Sequence, residues 1–407
     1  MAVTGNFNLT DMTALFKDNY DKLSENVYNS FNVTLGRVKK NFTFTGKRRV
    51  IAVPQGYAGG VGSGTLPRAN FANTDDALIT AKRMYSRIEI ERESMKASAN
   101  DAGAFVRATR WQVGKGVESW MRNMSRSLFG TGDGKVADYD GVTAVVDNGG
   151  GNFDVTLAAG TKVANVEERD YWHFNLDSSA DALLEVISYN ETTRVVELQE
   201  CTVGGSSLAA GVLGATPFYM QFSKDNDPQG LRNVLTATAG TLYGIPVDRR
   251  WSAGSNEASG GSGLTTDMLN EDMLRIEQRS GKVPTMIVAS YTQYRKLLNL
   301  LEDHKRYELP ARAANLKGQI SFSGIEFMSS RGPIPVFPER FVEDDSLYYI
   351  NDNFVEIHHR PDFGWFDDDG TVLLRKADSD DYEARYGGYL ETYITPNFHG
   401  IRTGLAT

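Results

Sequence analysis

Histidine and cysteine are the scarce chemistry-bearing residues of this chain, which has five of the first and one of the second. His358 and His359 are adjacent in NFVEIHHR. Neighbours on a strand point to opposite faces, so the pair cannot chelate one ion together and reads as structural. FDDDG, residues 366–370, sets its acids consecutively, whereas a calcium loop spaces its ligands at alternate positions. It reads as a solvated turn. DNDPQG, residues 225–230, does alternate its acids, but Thr236 stands where the closing glutamate would be. Cys201 alone can form neither an intramolecular disulfide nor a Cys-rich zinc site. The sequence contains no G-x-x-x-x-G-K-[ST], no G-x-S-x-G and no H-E-x-x-H. The glycines near Gly60 lie in no βαβ unit and lack the G-x-G-x-x-G spacing. No catalytic, cofactor-binding or metal-ligating set is expected, and nothing points to an enzyme.

The bulk numbers exclude further classes. A chain of 407 residues holds two or three compact units, and 41% apolar with 23% charged residues is ordinary for a globular protein. No run approaches the roughly 18 apolar residues of a membrane helix. MAVTGNFNLTDMTALF has no basic segment followed by an apolar run, so no signal peptide is expected, and a reducing cytoplasm suits the single cysteine. Net charge is −9, opposite in sign to a protein that grips nucleic acid by charge. Only a local basic patch could touch phosphates.

The elements that must position any function read as follows. Residues 1–40 look like an arm, with a short helix around Asp11–Leu23 capped by Thr10. NFTFTGKRRVIAV, residues 41–53, reads as a strand, followed by a glycine-rich tip from Pro54 to Ala77. KRMYSRIEIERESMKAS, Lys82 to Ser98, alternates as the returning strand. Its outward face runs from Arg83 and Arg87 to Glu89, Glu91 and Glu93. An isolated two-stranded ribbon is marginal in water, so this one is expected to lie on another surface and to set register there by charge. From Asn100 to Phe129 the period becomes helical, with Phe105, Ala108, Val113, Val117, Trp120, Met124 and Leu128 on one face. Gly103, Gly114 and Gly116 are tolerable there if another backbone packs closely. The helix is basic, and its arginines, Arg107, Arg110 and Arg122 among them, read as either a solvated face or one turned to phosphate.

Residues 142–225 change character. VTAVV, NFDVTLA, ALLEVISYN, TRVVELQE and PFYMQF are short strands between turn clusters, which argues for an inserted antiparallel barrel or sandwich. GSNEASGGSG, residues 254–263, reads as a flexible loop. TTDMLNEDMLRIEQRSG is a helix with Leu269, Met273 and Ile276 inward, VPTMIVAS a buried strand, and SYTQYRKLLNLLED a second helix opened by a capping box at Ser290 and Gln293. Strands follow at GIEFMSS, IPVFP and SLYYIND, and the chain ends in long strand-like segments. The fold class is α+β.

This order of parts resembles the major capsid proteins of tailed bacteriophages, the Hong Kong 97-like fold. An arm, a two-stranded extended loop and a long spine helix come first. LFGTGDGK looks like the turn after the spine helix, DPQGLRNVL like the segment that follows it, LYYINDNFVEIHHR like the end of the axial domain, and ETYITPNFHGIRTGL like the last peripheral strand. The resemblance implies an N-terminal arm (1–40), an extended loop (41–94), a peripheral domain with the spine helix (95–141), an inserted β domain (142–225), a peripheral connection (226–263), an axial α/β domain (264–355) and peripheral return strands (356–407). It implies a structural protein that assembles as pentamers and hexamers into an icosahedral shell around packaged double-stranded DNA. The implied partners are further copies of the chain, a separate scaffolding protein or none, a portal, decoration proteins and DNA held weakly and non-specifically, with no membrane. The implied location is the virion capsid, assembled in the host cytoplasm. Arg83, Arg87, Glu89, Glu91 and Glu93 would then contact a neighbouring subunit, and Arg107, Arg110 and Arg122 would face the genome. Lys47 and Lys82 match no crosslinking motif of the family.

Two other readings stay open. An encapsulin-like compartment would share the fold and enclose a cargo enzyme. A carbohydrate- or receptor-binding surface protein would use the β insertion, with Tyr171, Trp172 and Tyr189 either as a stacking platform or as core aromatics.

Overall fold

The computed structural model describes residues 33–54, 74–90, 102–158, 160–174, 183–201, 217–305, 325–361, 363–366, 374–376 and 381–407, with a few isolated positions. The helix expected around Asp11–Leu23, most of the glycine-rich tip and the acids Asp367, Asp368 and Asp369 lie outside the described residues.

A short helix α1 (Val33–Arg37) leads into strand β1 (Lys39–Asn41). Strands β2 (Arg48–Pro54) and β3 (Thr74–Thr80) then form a two-stranded antiparallel ribbon, from Arg48↔Thr80 to Pro54↔Thr74. This corrects the expected pairing of 41–53 with Lys82–Ser98. The returning strand is TDDALIT, whose Ala77 and Ile79 are buried while Asp76 and Leu78 face out. Strand β4 (Lys82–Ile90) instead joins the body of its own chain.

Helix α2 (Ala102–Leu128) is the expected long helix. Trp120, Met124 and Leu128 bury its lower face. A Cβ at Gly116 would stand 2.4 Å from Ile88 Cδ1, so β4 can cross the helix there only because the position carries hydrogen. Gly114, by contrast, has nothing within 4 Å.

The β insertion comprises β5 (Lys135–Asp138), β6 (Val146–Gly149), β7 (Asn152–Thr156), β8 (Tyr171–Phe174), β9 (Leu183–Asn190), β10 (Val195–Glu200) and β11 (Pro217–Met220). They form one seven-stranded antiparallel sheet in the order β5-β11-β8-β9-β10-β7-β6. A bridge between Tyr139 and Leu157 joins the end of β5 to the end of β7, with Ala158 N–H donating to the Asp138 carbonyl at 2.8 Å. That closes a small barrel and leaves β6 as a flap. Its core is Trp172, Phe174, Leu184, Val186, Val196, Leu198 and Phe218, the inward members of alternating strands. The Asn190 side chain accepts from the Thr192 and Thr193 N–H groups and fixes the expected YNETTR turn. The barrel begins at Lys135, earlier than the expected boundary, because β5 closes it.

The rest of the chain builds two six-stranded sheets. After α3 (Leu231–Thr236), β12 (Thr241–Leu242) and β13 (Ile245–Pro246) comes β14 (Ser255–Ala258). The GSNEASGGSG segment is therefore partly a strand, where a flexible loop was expected. Next come α4 (Thr266–Ser280), β15 (Met286–Ala289), α5 (Tyr291–Lys305), β16 (Ile325–Ser329), β17 (Gly332–Pro338) and β18 (Leu347–Ile350). Helix α4 starts on the Thr265 hydroxyl and stops at Gly281 in the left-handed region. The capping box of α5 forms by half. Ser290 Oγ accepts the Gln293 N–H, but the Gln293 amide donates to the Asp344 and Ala406 carbonyls. Strands β19 (Val355–His359), β20 (Gly364–Trp365), β21 (Leu374–Arg375), β22 (Tyr382–Ile394) and β23 (Gly400–Thr403) complete the fold.

One sheet runs β14-β23-β18-β15-β17-β16. Ile287, Ala289, Leu347 and Tyr349 face the layer of α4 and α5, while Met286, Val288, Tyr348 and Ile350 face the central core, so both faces are apolar. The other sheet is organised on the thirteen-residue β22, with β19, β20 and β21 along one edge and β4 along the other. Gly387 (φ 143°) lets β22 run against β4, since a Cβ there would stand 2.1 Å from the Met84 carbonyl oxygen.

Candidate assembly interface

The ribbon β2–β3 has two unlike faces. Ala77 and Ile79 seat it on the central core, with Ile51 and Val53 packed beside them. The Leu78 N–H donates to the Tyr243 carbonyl at 2.8 Å. Val50 and Leu78 are cross-strand partners on the outer face and are 54% and 39% exposed. An apolar cross-strand pair is a unit of sheet stabilisation, and this one, with Leu78 beside Gly244, stays partly exposed.

Strand β4 carries the expected charge series. Among the described residues it pairs only with β22, so its outer edge is open. Arg87 lies 2.6 Å from Glu89 and 2.9 Å from Glu383, and Lys376 lies 3.0 Å from Glu89. The Arg83 guanidinium stands 5.8 Å over the Tyr389 ring. Burial raises the Glu383 carboxyl, but hydrogen bonds from Arg385 and Arg87 outweigh it and hold the group below its usual range. Charges of both signs on an open edge deter indiscriminate strand pairing and leave a patterned surface. Glu91 and Glu93 lie outside the described residues.

The cations of α2 divide. The side chains of Arg107 and Arg110 lie outside the described residues. Arg122 does not face outward, which corrects its assignment to a genome-facing surface. It is 8% exposed and pairs with Glu167 and, at 2.6 Å, with Asp170, both carried by the barrel. Burial raises the Asp170 carboxyl even with Arg122 beside it. Arg126 pairs at 2.7 Å with Asp227. The DNDPQG acid considered for calcium is thus held in an ion pair. A third bridge joins barrel to body: Lys162 reaches Glu343 at 2.5 Å, and Arg232 reaches the same carboxylate at 3.1 Å. These partners were not legible in the sequence. Arg126 and Asp227 are 101 positions apart, and no local pattern marks Glu343.

The remaining singled-out residues are internal. His358 and His359 are buried on opposite faces of β19, His359 against the Phe42 and Phe363 rings at 5.0 and 4.6 Å. Burial lowers both to about 4. Trp172 is fully buried in the barrel core, 5.7 Å from the Phe218 ring, and cannot offer a stacking face to a sugar. Among the described residues no group of three or more His, Cys, Asp or Glu side chains is placed to hold a metal ion.

No family model matches the sequence, and no curated protein matches it. Solved structures do. The capsid asymmetric unit of cyanophage A-1(L) is 12% identical, with 96% of this chain and 98% of that chain covered at a TM-score of 0.55. The capsid of a native GTA particle is 9% identical over 98% of both chains at 0.48. The holo-SrpI encapsulin complex of Synechococcus elongatus is 10% identical over 98% of this chain and 96% of that one at 0.47. The cyanophage match fixes the fold: the chain has the architecture of a phage capsid subunit, as its resemblance to the Hong Kong 97-like proteins implied.

Proposed function

We propose that this chain is a major capsid protein of a tailed bacteriophage, a structural subunit without enzymatic activity. It assembles as hexamers and pentamers into an icosahedral shell that encloses double-stranded DNA. The observation that carries this reading is the near end-to-end match to the cyanophage capsid subunit, 96% of one chain and 98% of the other. In this reading 1–40 is the arm, 95–141, 226–263 and 356–407 form the peripheral domain, 142–225 is the insertion and 264–355 is the axial domain. The extended loop of 41–94 narrows to its ribbon, because β4 belongs to the sheet of β22. The exposed Val50–Leu78 face and the charged edge of β4 are the surfaces that meet neighbouring copies. Heterologous contacts of this kind, repeated by symmetry, close a shell. A separate scaffolding protein or none, a portal and decoration proteins go with this reading, and DNA is held weakly, in keeping with a net charge of −9.

The test is assembly. The purified chain is run on size-exclusion chromatography with light scattering, and each peak is imaged by negative-stain electron microscopy. Closed shells or rings of five and six are expected, with nucleic acid as the cargo of particles from infected cells. A monomer that persists with crowding agent or added scaffold would sink the proposal. Particles filled with a protein cargo would replace the phage shell with an encapsulin-like compartment.

A further inference from the structure

Residues 1–32 join the rest of the chain through helix α1, which has only five residues. A helix that short does not stand alone in water, so α1 keeps its form by packing. Its Thr34 is fully buried and meets Glu339, the residue after β17, which is 3% exposed. Thr34 Oγ lies 3.4 Å from Glu339 Oε2, and the Arg340 N–H donates to Oε1 at 3.0 Å. Among the described residues no cation pairs with this carboxylate. Asp227, Asp272 and Glu383 are buried too, but each has an arginine beside it. A carboxyl buried without a counter-ion favours its protonated form.

The charged groups nearby are engaged elsewhere. On α1, Arg37 stands 5.1 Å over the Phe337 ring. On β1, Lys39 donates to the Asn353 carbonyl at 3.2 Å, and Lys40 acts on His359. After β17, Arg340 stands 6.0 Å over the Phe341 ring, and Glu343 pairs with Lys162 and Arg232. From β15 comes the Ala289 carbonyl, which accepts the Glu339 N–H at 2.9 Å. Ionising Glu339 in place would therefore bury a bare charge directly under α1, and lifting α1 would give that charge water.

We propose that Glu339 is a proton-operated latch: its neutral carboxyl keeps α1 on the body, and its ionisation loosens α1. Burial pushes this carboxyl up to about 7, against the Arg340 N–H and the hydroxyl and N–H of Thr34, which lower it. Once α1 lifts, the group ionises near its ordinary 4.5. The hold is full below pH 4.5, weakens about tenfold per pH unit as pH rises, and levels off above 7. This inference does not rest on the shell reading.

The test is hydrogen exchange of the full chain from pH 5 to 8.5, corrected for the intrinsic rate. It follows residues 33–41, where the Val38 N–H donates to the Thr34 carbonyl at 3.1 Å, with β15 as internal reference. The opening constant of 33–41 should rise about 50-fold from pH 5 to 8 and then stay level, while β15 does not follow it. Glu339→Gln keeps an acceptor oxygen and should flatten the rise. Thr34→Val should keep the rise but move its plateau to higher pH, because the hydroxyl favours the ionised form. A flat profile in the parent, the same rise in β15, or a rise that survives Glu339→Gln overturns the proposal. Should Glu339→Gln fail to fold, an unmoved plateau in Thr34→Val overturns it.

Discussion

Glu391 shows most plainly how burial governs single residues in this chain. It lies on β22, 4% exposed, and its Oε1 accepts the backbone N–H groups of Gln229 at 2.7 Å and of Thr392 at 3.1 Å. Burial raises its carboxyl to about 8, more than those N–H groups and Lys82 lower it. The unfolded chain ionises this residue near pH 4.5, so its contribution is full below that pH and is lost as pH rises toward 8. The buried histidines act with the opposite sign. His358, His359 and His399 titrate near 4 against an ordinary 6.5, so their contribution is full above pH 6.5 and is lost as pH falls toward 4. Glu391→Gln keeps an acceptor oxygen for both N–H groups and removes the ionisation. The variant should be more stable than the parent at pH 9 by a few kcal/mol, with the gap shrinking toward pH 5. Urea unfolding at both pH values decides this, and an equal gap at both would remove Glu391 from the explanation.

At the scale of elements, α2 offers a paired comparison. Gly114 and Gly116 are two positions apart and cost the isolated helix the same propensity, about 1 kcal/mol each relative to alanine. The packing separates them. Gly114 faces open space, so Gly114→Ala should raise stability by up to about 1 kcal/mol. At Gly116 the new methyl group would meet Ile88, so Gly116→Ala should lower stability by about 1–3 kcal/mol. Urea midpoints measure both, and equal shifts for the two variants would mean that β4 does not press on the helix. The expected close approach of another backbone is found at neither position: Gly116 lies against the Ile88 side chain, and Gly114 against nothing. Sequence alone could not choose between them, because the neighbour lies on another element.

At the scale of the whole molecule, the shell reading makes its own demands. Charge reversal at Glu89, Glu91 and Glu93 together should block shell closure while the subunit stays folded. Among the described residues Glu89 pairs with exposed Arg87 and with Lys376, contacts worth no more than about 1 kcal/mol each to the fold. Normal particles from that triple variant, seen by electron microscopy, would clear these residues of an assembly role. Arg107→Gln with Arg110→Gln should lower the DNA content of particles more than their number. Arg122 leaves that experiment, since its removal would strand Glu167 and Asp170 inside the molecule. DNA content measured against particle count would show it, and equal falls in both would point to folding instead.

By itself the sequence determined what depends on local pattern. The 3.6 period marked α2 and α4, and the alternation in NFDVTLA, ALLEVISYN and TRVVELQE marked the barrel strands. The order of these parts was enough for the capsid resemblance. Tertiary structure decided whatever depends on a partner remote in the chain. Lys82–Ile90 alternates like the second arm of a hairpin, yet its hydrogen-bonding partner is Tyr382–Leu390. TDDALIT, too short and too polar to stand out, takes the place beside β2. Arg122 and Arg126 look like a solvated helix face until Asp170 and Asp227 arrive from elsewhere in the chain. An alternating pattern fixes which side of a strand is apolar, but it does not name the strand that lies beside it. A charge, likewise, states its sign and not its partner, because both choices are made by the core that brings distant segments together.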